Sequence, residues 1–138
     1  MPLPERARRA SRRALLALAL NPAVTTPGYW FATGAAALWG IALGRGRLRR
    51  RGGLLVADRL PAWAFGRGGT AIGGVFLTSR VVDEHVIEHE RVHRAQWRRF
   101  GLAFIPLYLA AGRDPLRNRF EIEAGLEAGG YLPRRPTS

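Results

Sequence analysis

The sequence predicts an α+β fold: a small antiparallel sheet beside one long amphipathic helix carrying His89-Glu90-x-x-His93, with a hydrophobic helix near the N-terminus. Three observations predict it. Apolar residues recur with helical period from Val82 to Phe100; Thr70 to Thr78 is rich in Ile, Val and Phe; and 31 residues between Arg13 and Arg45 carry no charge. With 138 residues, 47% of them hydrophobic, the chain has room for one domain with a modest core. It has no cysteine, which excludes disulfides, thiol catalysis, Cys-type zinc fingers and thiolate-held iron–sulfur clusters.

Residues 1–51 read as a basic and hydrophobic N-terminal helical segment. Pro22 and Pro27 divide its charge-free stretch into a short run, Ala14 to Asn21, and a longer helix, Gly28 to Gly44. That helix would be about 25 Å long, marginal for a hydrocarbon core of about 30 Å. Tyr29, Trp30 and Trp39 suit a membrane interface, and the block Arg45 to Arg51 would hold the exit on the cytoplasmic side. Contact with a membrane, spanning or interfacial, and packing of an Ala/Gly-rich helix against the rest of the protein are both open. The expected location is accordingly the cytoplasm or the cytoplasmic face of a membrane.

Residues 52–131 read as a compact metal-binding module. Leu54 to Ala57 and Trp63 to Phe65 are short strands around a turn at Pro61, and Thr70 to Thr78 is a longer strand in which Gly73-Gly74 marks a bulge or a close backbone approach. Gly101 to Gly112 is apolar and too short to span a bilayer, so it reads as a buried connector helix broken near Pro106. Asp114 caps a last helix from Pro115 to Ala128, with proline at the first helical position. The tail, 132–138, contains Pro133 and Pro136 and is expected to be disordered.

The formal charge of +12 invites an anionic partner, a membrane surface or nucleic acid. All 22 basic residues are arginine, however, which together with the Ala and Gly content also fits a GC-rich coding bias. They lie in blocks, Arg6 to Arg13, Arg45 to Arg51, Arg91 to Arg99 and Arg134-Arg135, without a helix-turn-helix, finger or RNA-recognition signature. That distribution argues against dedicated nucleic-acid binding.

On a helix turning about 100° per residue, Glu84, Glu88, Arg91, Ala95 and Arg98 form a wet stripe. Val82, Val86, His89, His93, Trp97 and Phe100 lie opposite, with Gln96 beside them. Residues four apart share a face, so both imidazoles can reach one cation while Glu90 stands beside an open coordination position as a general base. The alternative, two hydrogen-bonded core histidines, would require a buried partner for each ring.

A catalytic zinc takes three protein ligands. Position 99 is Arg, so no third histidine follows, and the downstream carboxylates are Asp114, Glu121, Glu123 and Glu127. Asp114 is accounted for as a cap. Glu121 falls among Asn118, Ala124, Gly125 and Ala128, small residues that permit close helix packing, whereas Glu123 and Glu127 share a polar stripe with Arg119. Glu121 is the expected ligand; a surface glutamate paired with Arg117 is the alternative.

His89-Glu90-x-x-His93 followed by Phe120-Glu121-Ile122-Glu123-Ala124 resembles the gluzincin class of metallopeptidases, in which a Glu-x-x-Ala element on a later helix supplies the third ligand. Residues 69 to 131 also resemble short actinobacterial proteins that share a Gly-rich strand, H-E-x-x-H-x-x-Q and a closing Asn-Arg-Phe-Glu helix. The resemblance implies a minimal zincin-like fold and a strand from Thr70 to Thr78 that runs along the cleft and pairs with extended substrate; a plain core strand is the alternative. One departure stands out: membrane-integrated gluzincins usually place Asp after that Ala, as a carboxylate that orients a histidine, and here the position is Gly125.

The expected function is therefore zinc-dependent hydrolysis of a peptide or protein amide, with His89, His93 and Glu121 holding Zn2+ and Glu90 as base. Tyr131 and His85 are the candidate donors to a developing oxyanion. The competing expectation is a non-catalytic, membrane-associated protein or pseudo-enzyme with a structural zinc, for which a fourth protein ligand would be the mark.

Overall fold

In the computed structural model, residues 1, 4–43, 48–64 and 69–136 are described. Two helices open the chain, α1 (Glu5–Ala19) and α2 (Pro22–Leu43). Then come β1 (Arg49–Arg51), β2 (Leu54–Ala57), β3 (Gly69–Ile72) and β4 (Val75–Thr78), and after them α3 (Glu84–Phe100), α4 (Phe104–Ala110) and α5 (Arg119–Ala124). The fold is α+β, as expected.

The sheet is mixed rather than antiparallel. Its order is β1-β2-β4-β3, with antiparallel outer pairs and a parallel central pair that sets Leu55 opposite Val75 and Ala57 opposite Leu77. The expected strand Thr70 to Thr78 is in fact a hairpin, β3 and β4, because Gly73-Gly74 is its two-residue turn and not a bulge. Gly73 adopts φ +60°, and a Cβ there would come within 2.4 Å of Thr33 Oγ1 on α2. The same hydroxyl accepts from Gly74 N at 3.0 Å, which fixes the turn on the helix. Ala62–Ala64 is a 3-10 turn where a strand was expected from Trp63; Phe65 lies outside the described residues.

Strand alternation divides the core between two helices. Val75, Leu77 and Ala57 face Ala36 of α2, while Leu54, Val56 and Phe76 face Val82 and Ile87 beside and on α3. β4 is buried at all four positions, as befits a central strand covered on both faces. Each such side chain contributes about 1.5–3 kcal/mol by leaving water. Beyond the sheet, Tyr29, Ala32, Trp97, Phe104 and Phe120 join the helices in an aromatic cluster, and Trp97 Nε1 donates to the Ala71 carbonyl of β3 at 3.1 Å.

The N-terminal helices differ from expectation. α2 begins at Pro22 and runs through Pro27, which does not divide it. The missing proline N–H leaves only the exposed Ala23 carbonyl without a helical partner, and water can take its place there. No described helix is long and apolar enough to cross a membrane. α2 instead buries Thr25, Gly28, Tyr29, Ala32, Thr33, Ala36 and Gly40 against the rest of the protein. Of the basic block expected at a membrane exit, Arg49 to Arg51 form the edge strand β1, paired with β2, where charge also discourages further strand pairing. The strand pairing and the buried face of α2 thus tie β1 and α2 to the rest of the protein.

Two C-terminal boundaries also move. Gly101–Ala103 forms a 3-10 turn that continues into α4, with Pro106 inside the first turn of that helix, where its missing N–H costs nothing; there is no break at Pro106. The segment is only half buried, since Leu102, Ile105 and Leu109 are exposed. The last helix starts at Arg119, not Pro115. Asp114 caps a single turn, accepting from Leu116 N at 3.0 Å, and Asn118 caps α5 by accepting from Phe120 N at 3.0 Å. Asn118 is 1% exposed, and its Nδ2 donates to the Tyr108 and Gly112 carbonyls, so α5 is tied to the end of α4 before it begins.

Candidate metal centre

α3 places its motif as its periodicity requires. Asp83 caps the helix by accepting from Val86 N at 3.0 Å, and Glu84, Glu88, Arg91, Ala95 and Arg98 are all exposed. Ile87, His89, Glu90, His93, Gln96 and Trp97 are buried. α5 packs against this face and presents Glu121, which is 3% exposed, whereas Glu123 on the same short helix is exposed. Arg117 pairs with Asp114 at 3.7 Å instead of Glu121, and Glu127 pairs with Arg135 at 3.7 Å.

The three expected ligands converge. His89 Nε2 and His93 Nε2 are 3.1 Å apart, and Glu121 Oε2 lies 3.1 Å from the first and 3.3 Å from the second. These residues form the one group among the described residues that could hold a metal ion. Tetrahedral bonds of about 2.0–2.1 Å put neighbouring ligand atoms about 3.3 Å apart, so the triangle has the dimensions of one face of a zinc coordination sphere.

Outer hydrogen bonds decide what those atoms carry. His89 Nδ1 lies 2.9 Å from the Gly125 carbonyl, which can only accept, so Nδ1 holds the proton and Nε2 a lone pair. His93 Nδ1 lies 2.8 Å from Gln96 Oε1, and Gln96 is oriented by its own Nε2 donating to the Phe120 carbonyl at 3.1 Å. His93 Nε2 is thereby also a lone-pair atom. Two imidazole Nε2 atoms and a carboxylate oxygen thus converge inside the protein, an arrangement that could hold a metal ion. Without a metal, His93 can instead carry a second proton at Nε2 and donate it to Glu121. Burial pushes the His93 pKa down, but its hydrogen bond to Glu121 and the charges of Glu90 and Glu121 raise it overall. For Glu121, burial pushes up, and interactions with His89, His93 and Tyr108 hold the carboxyl well below the usual range.

The position where the resemblance expects an orienting Asp acts through its main chain. The Gly125 carbonyl takes His89 Nδ1 and also accepts from Gly129 N at 3.0 Å, where the chain turns after α5. Gly125 ends that helix at φ +98°. Gly129 then lies flat on the His89 ring, for a Cβ there would come within 2.5 Å of Cε1.

Glu90 lines the same cavity, a cleft of about 610 Å³ walled by β3, α3, α4 and Tyr131. Its Oε2 is buried with no hydrogen-bond partner among the described residues. Burial raises its pKa, against the lowering effect of His93 and His89, and the Glu121 charge adds to the rise. Tyr131 stands at the cavity wall, its ring 6.0 Å from His89, whereas His85 is exposed and does not line the cleft. Tyr108 of α4, which has no place in either sequence motif, donates its hydroxyl to Glu121 Oε1. Its only sequence signal is that it sits one helical turn after Phe104 on an apolar segment, which marks packing and not a ligand shell.

Comparison with protein-family models, with curated proteins and with solved structures finds no match for this chain. The resemblance to gluzincins therefore rests on the residues alone.

Proposed function

We propose that the protein is a zinc-dependent metallopeptidase of gluzincin-like construction, in which His89, His93 and Glu121 hold the ion and Glu90 is the catalytic base. The observation that carries this reading is the convergence of three lone-pair atoms at 3.1–3.3 Å beside a buried carboxylate oxygen with no partner. Zinc held there would supply Lewis acidity and a water whose pKa falls towards about 7. Glu90, its own pKa raised by burial, accepts a proton at Oε2 and delivers it to the departing amine nitrogen. Gly125 and Gln96 keep both imidazoles in the ligating tautomer, and Tyr108 orients Glu121. Tyr131 is the nearer of the two expected oxyanion donors, and β3, an edge strand along the cleft, offers main-chain pairing to an extended peptide.

A structural zinc would favour a site closed by a fourth ligand, and only three ligating groups converge among the described residues. The test is Glu90→Gln, which preserves shape and removes the base. Hydrolysis of a peptide library by the wild type, with turnover lost by at least about a hundredfold in Glu90→Gln at unchanged zinc content, is the expected result. Equal turnover in the variant would remove Glu90 from the mechanism.

A further inference from the structure

The N-terminal helices invert the usual arrangement of a soluble surface. The outward stripe of α2, opposite its buried face, is Val24, Pro27, Trp30, Phe31, Leu38 and Ile41, and no charged residue occurs anywhere from 14 to 44. Trp30 is 61%, Phe31 69% and Leu38 71% exposed. From Val24 to Ile41 the stripe is about 26 Å long. A helix with no charge on any side and large apolar residues on its outer face is normally covered there, and this one has only one side covered. α1, which buries no residue, is two-faced: Ala7, Ala10, Ala14, Ala17 and Leu18 follow one side, and Arg6, Arg8, Arg9, Arg12 and Arg13 the other. Among the described residues only Arg9 of that set has an ion-pair partner, Glu5 at 2.7 Å.

We propose that α1 and the outer face of α2 dock in the plane of an anionic lipid bilayer, with the apolar stripe among the upper acyl chains and the α1 arginines among the headgroups. Charge selects this occupant over a second copy of the chain. Pairing two copies through α2 would bring two sets of five α1 arginines together on a molecule of net charge +12, whereas anionic headgroups neutralise them. Apolar area combined with a polybasic helix supplies the two signals that stable interfacial binding requires, and Trp30 and Trp39 are suited to headgroup depth. The stripe also leads to the cleft. Gly28, in line with Val24 and Phe31 along α2, packs on Leu102, and Ile105 and Leu109, exposed on the same segment as Leu102, line the cleft's mouth. Docking on this face would place the cleft entrance close to the lipid surface.

The experiment is sedimentation of the full chain with phosphatidylcholine vesicles, with and without phosphatidylglycerol, at low and high salt. Wild type should pellet with the anionic vesicles and bind at least about tenfold more weakly to phosphatidylcholine alone or at high salt. The double variant Phe31→Ser, Leu38→Ser should lose about tenfold or more on anionic vesicles while keeping its circular dichroism and zinc content, since both positions are exposed and outside the metal centre. Arg8→Gln with Arg12→Gln should weaken only the anionic binding. No binding of wild type to phosphatidylglycerol vesicles, or full binding by the serine variant, overturns the proposal. So does a lipid-free dimer, seen by light scattering, that Leu38→Ser dissociates, because the second copy would then be the occupant.

Discussion

The candidate metal centre and the N-terminal helices depart from the rule of polar outside and apolar inside in opposite directions. Around His89, His93 and Glu121 the protein buries two imidazoles and two carboxylates; His89, His93 and Glu121 all have hydrogen-bond partners, while Glu90 Oε2 is buried without one among the described residues. Along α2 it exposes Trp30, Phe31 and Leu38 with nothing over them. Both arrangements cost folding free energy, the first through desolvation and the second through unused burial. Sequences tolerate such conflict mainly where a ligand resolves it. On our proposals, a metal ion resolves the first and a lipid surface the second.

The sharpest contrast between the two regions comes from leucine. Leu77 is 1% exposed between Ala36 and Val75, so Leu77→Ala should cost about 2–5 kcal/mol of unfolding free energy. Leu38→Ser, on the outer face of α2, should lie within about 0.5 kcal/mol in the absence of lipid. Chemical denaturation of the two variants side by side measures both, and an equal cost would mean that α2 is covered within the folded chain.

A smaller effect sharpens the account of the buried polar side. Tyr108→Phe deletes only the hydroxyl that holds Glu121, and should weaken zinc affinity by about 10–100-fold with little change in fold. Competition with a chromophoric chelator reads this directly; unchanged affinity would reduce Tyr108 to a packing residue.

The smallest effect concerns the cap that sets the register of α3. Asp83→Ala should cost about 1 kcal/mol at neutral pH. The Asp83 pKa is lowered chiefly by its hydrogen bond from Val86 N, with burial opposing and Arg134 assisting. A depressed carboxylate stabilises the fold above its unfolded pKa of about 3.9, and the contribution disappears as pH falls through the folded value. The gap between wild type and variant should therefore close in melts below about pH 4.

How far the sequence foretold the structure depended on whether a decision was local. The wet stripe of α3 and the choice of Glu121 over Glu123 both follow from helical spacing, which needs no partner to be known. The start of α5 did not follow. Asp114-Pro115 is a strong local start signal, yet the buried Asn118, bonded to two carbonyls at the end of α4, sets the boundary four residues later. Gly73-Gly74 pointed to a bulge or a close backbone approach; the close approach, to Thr33 of α2, is there, but the pair is a hairpin turn, which the strand's own residues did not mark. Tyr108 and the Gly125 carbonyl complete the ligand shell through tertiary contacts alone, so no spacing could have marked them.

The central claim, a metal centre built from His89, His93 and Glu121, is tested most directly by elemental analysis of the purified protein beside single alanine variants. About one zinc per wild-type chain is expected, with loss in His89→Ala and His93→Ala, marked weakening in Glu121→Ala and no change in Glu123→Ala, two residues away on the exposed side of α5. Full zinc retention in both histidine variants, or a loss in Glu123→Ala that Glu121→Ala does not show, would contradict it.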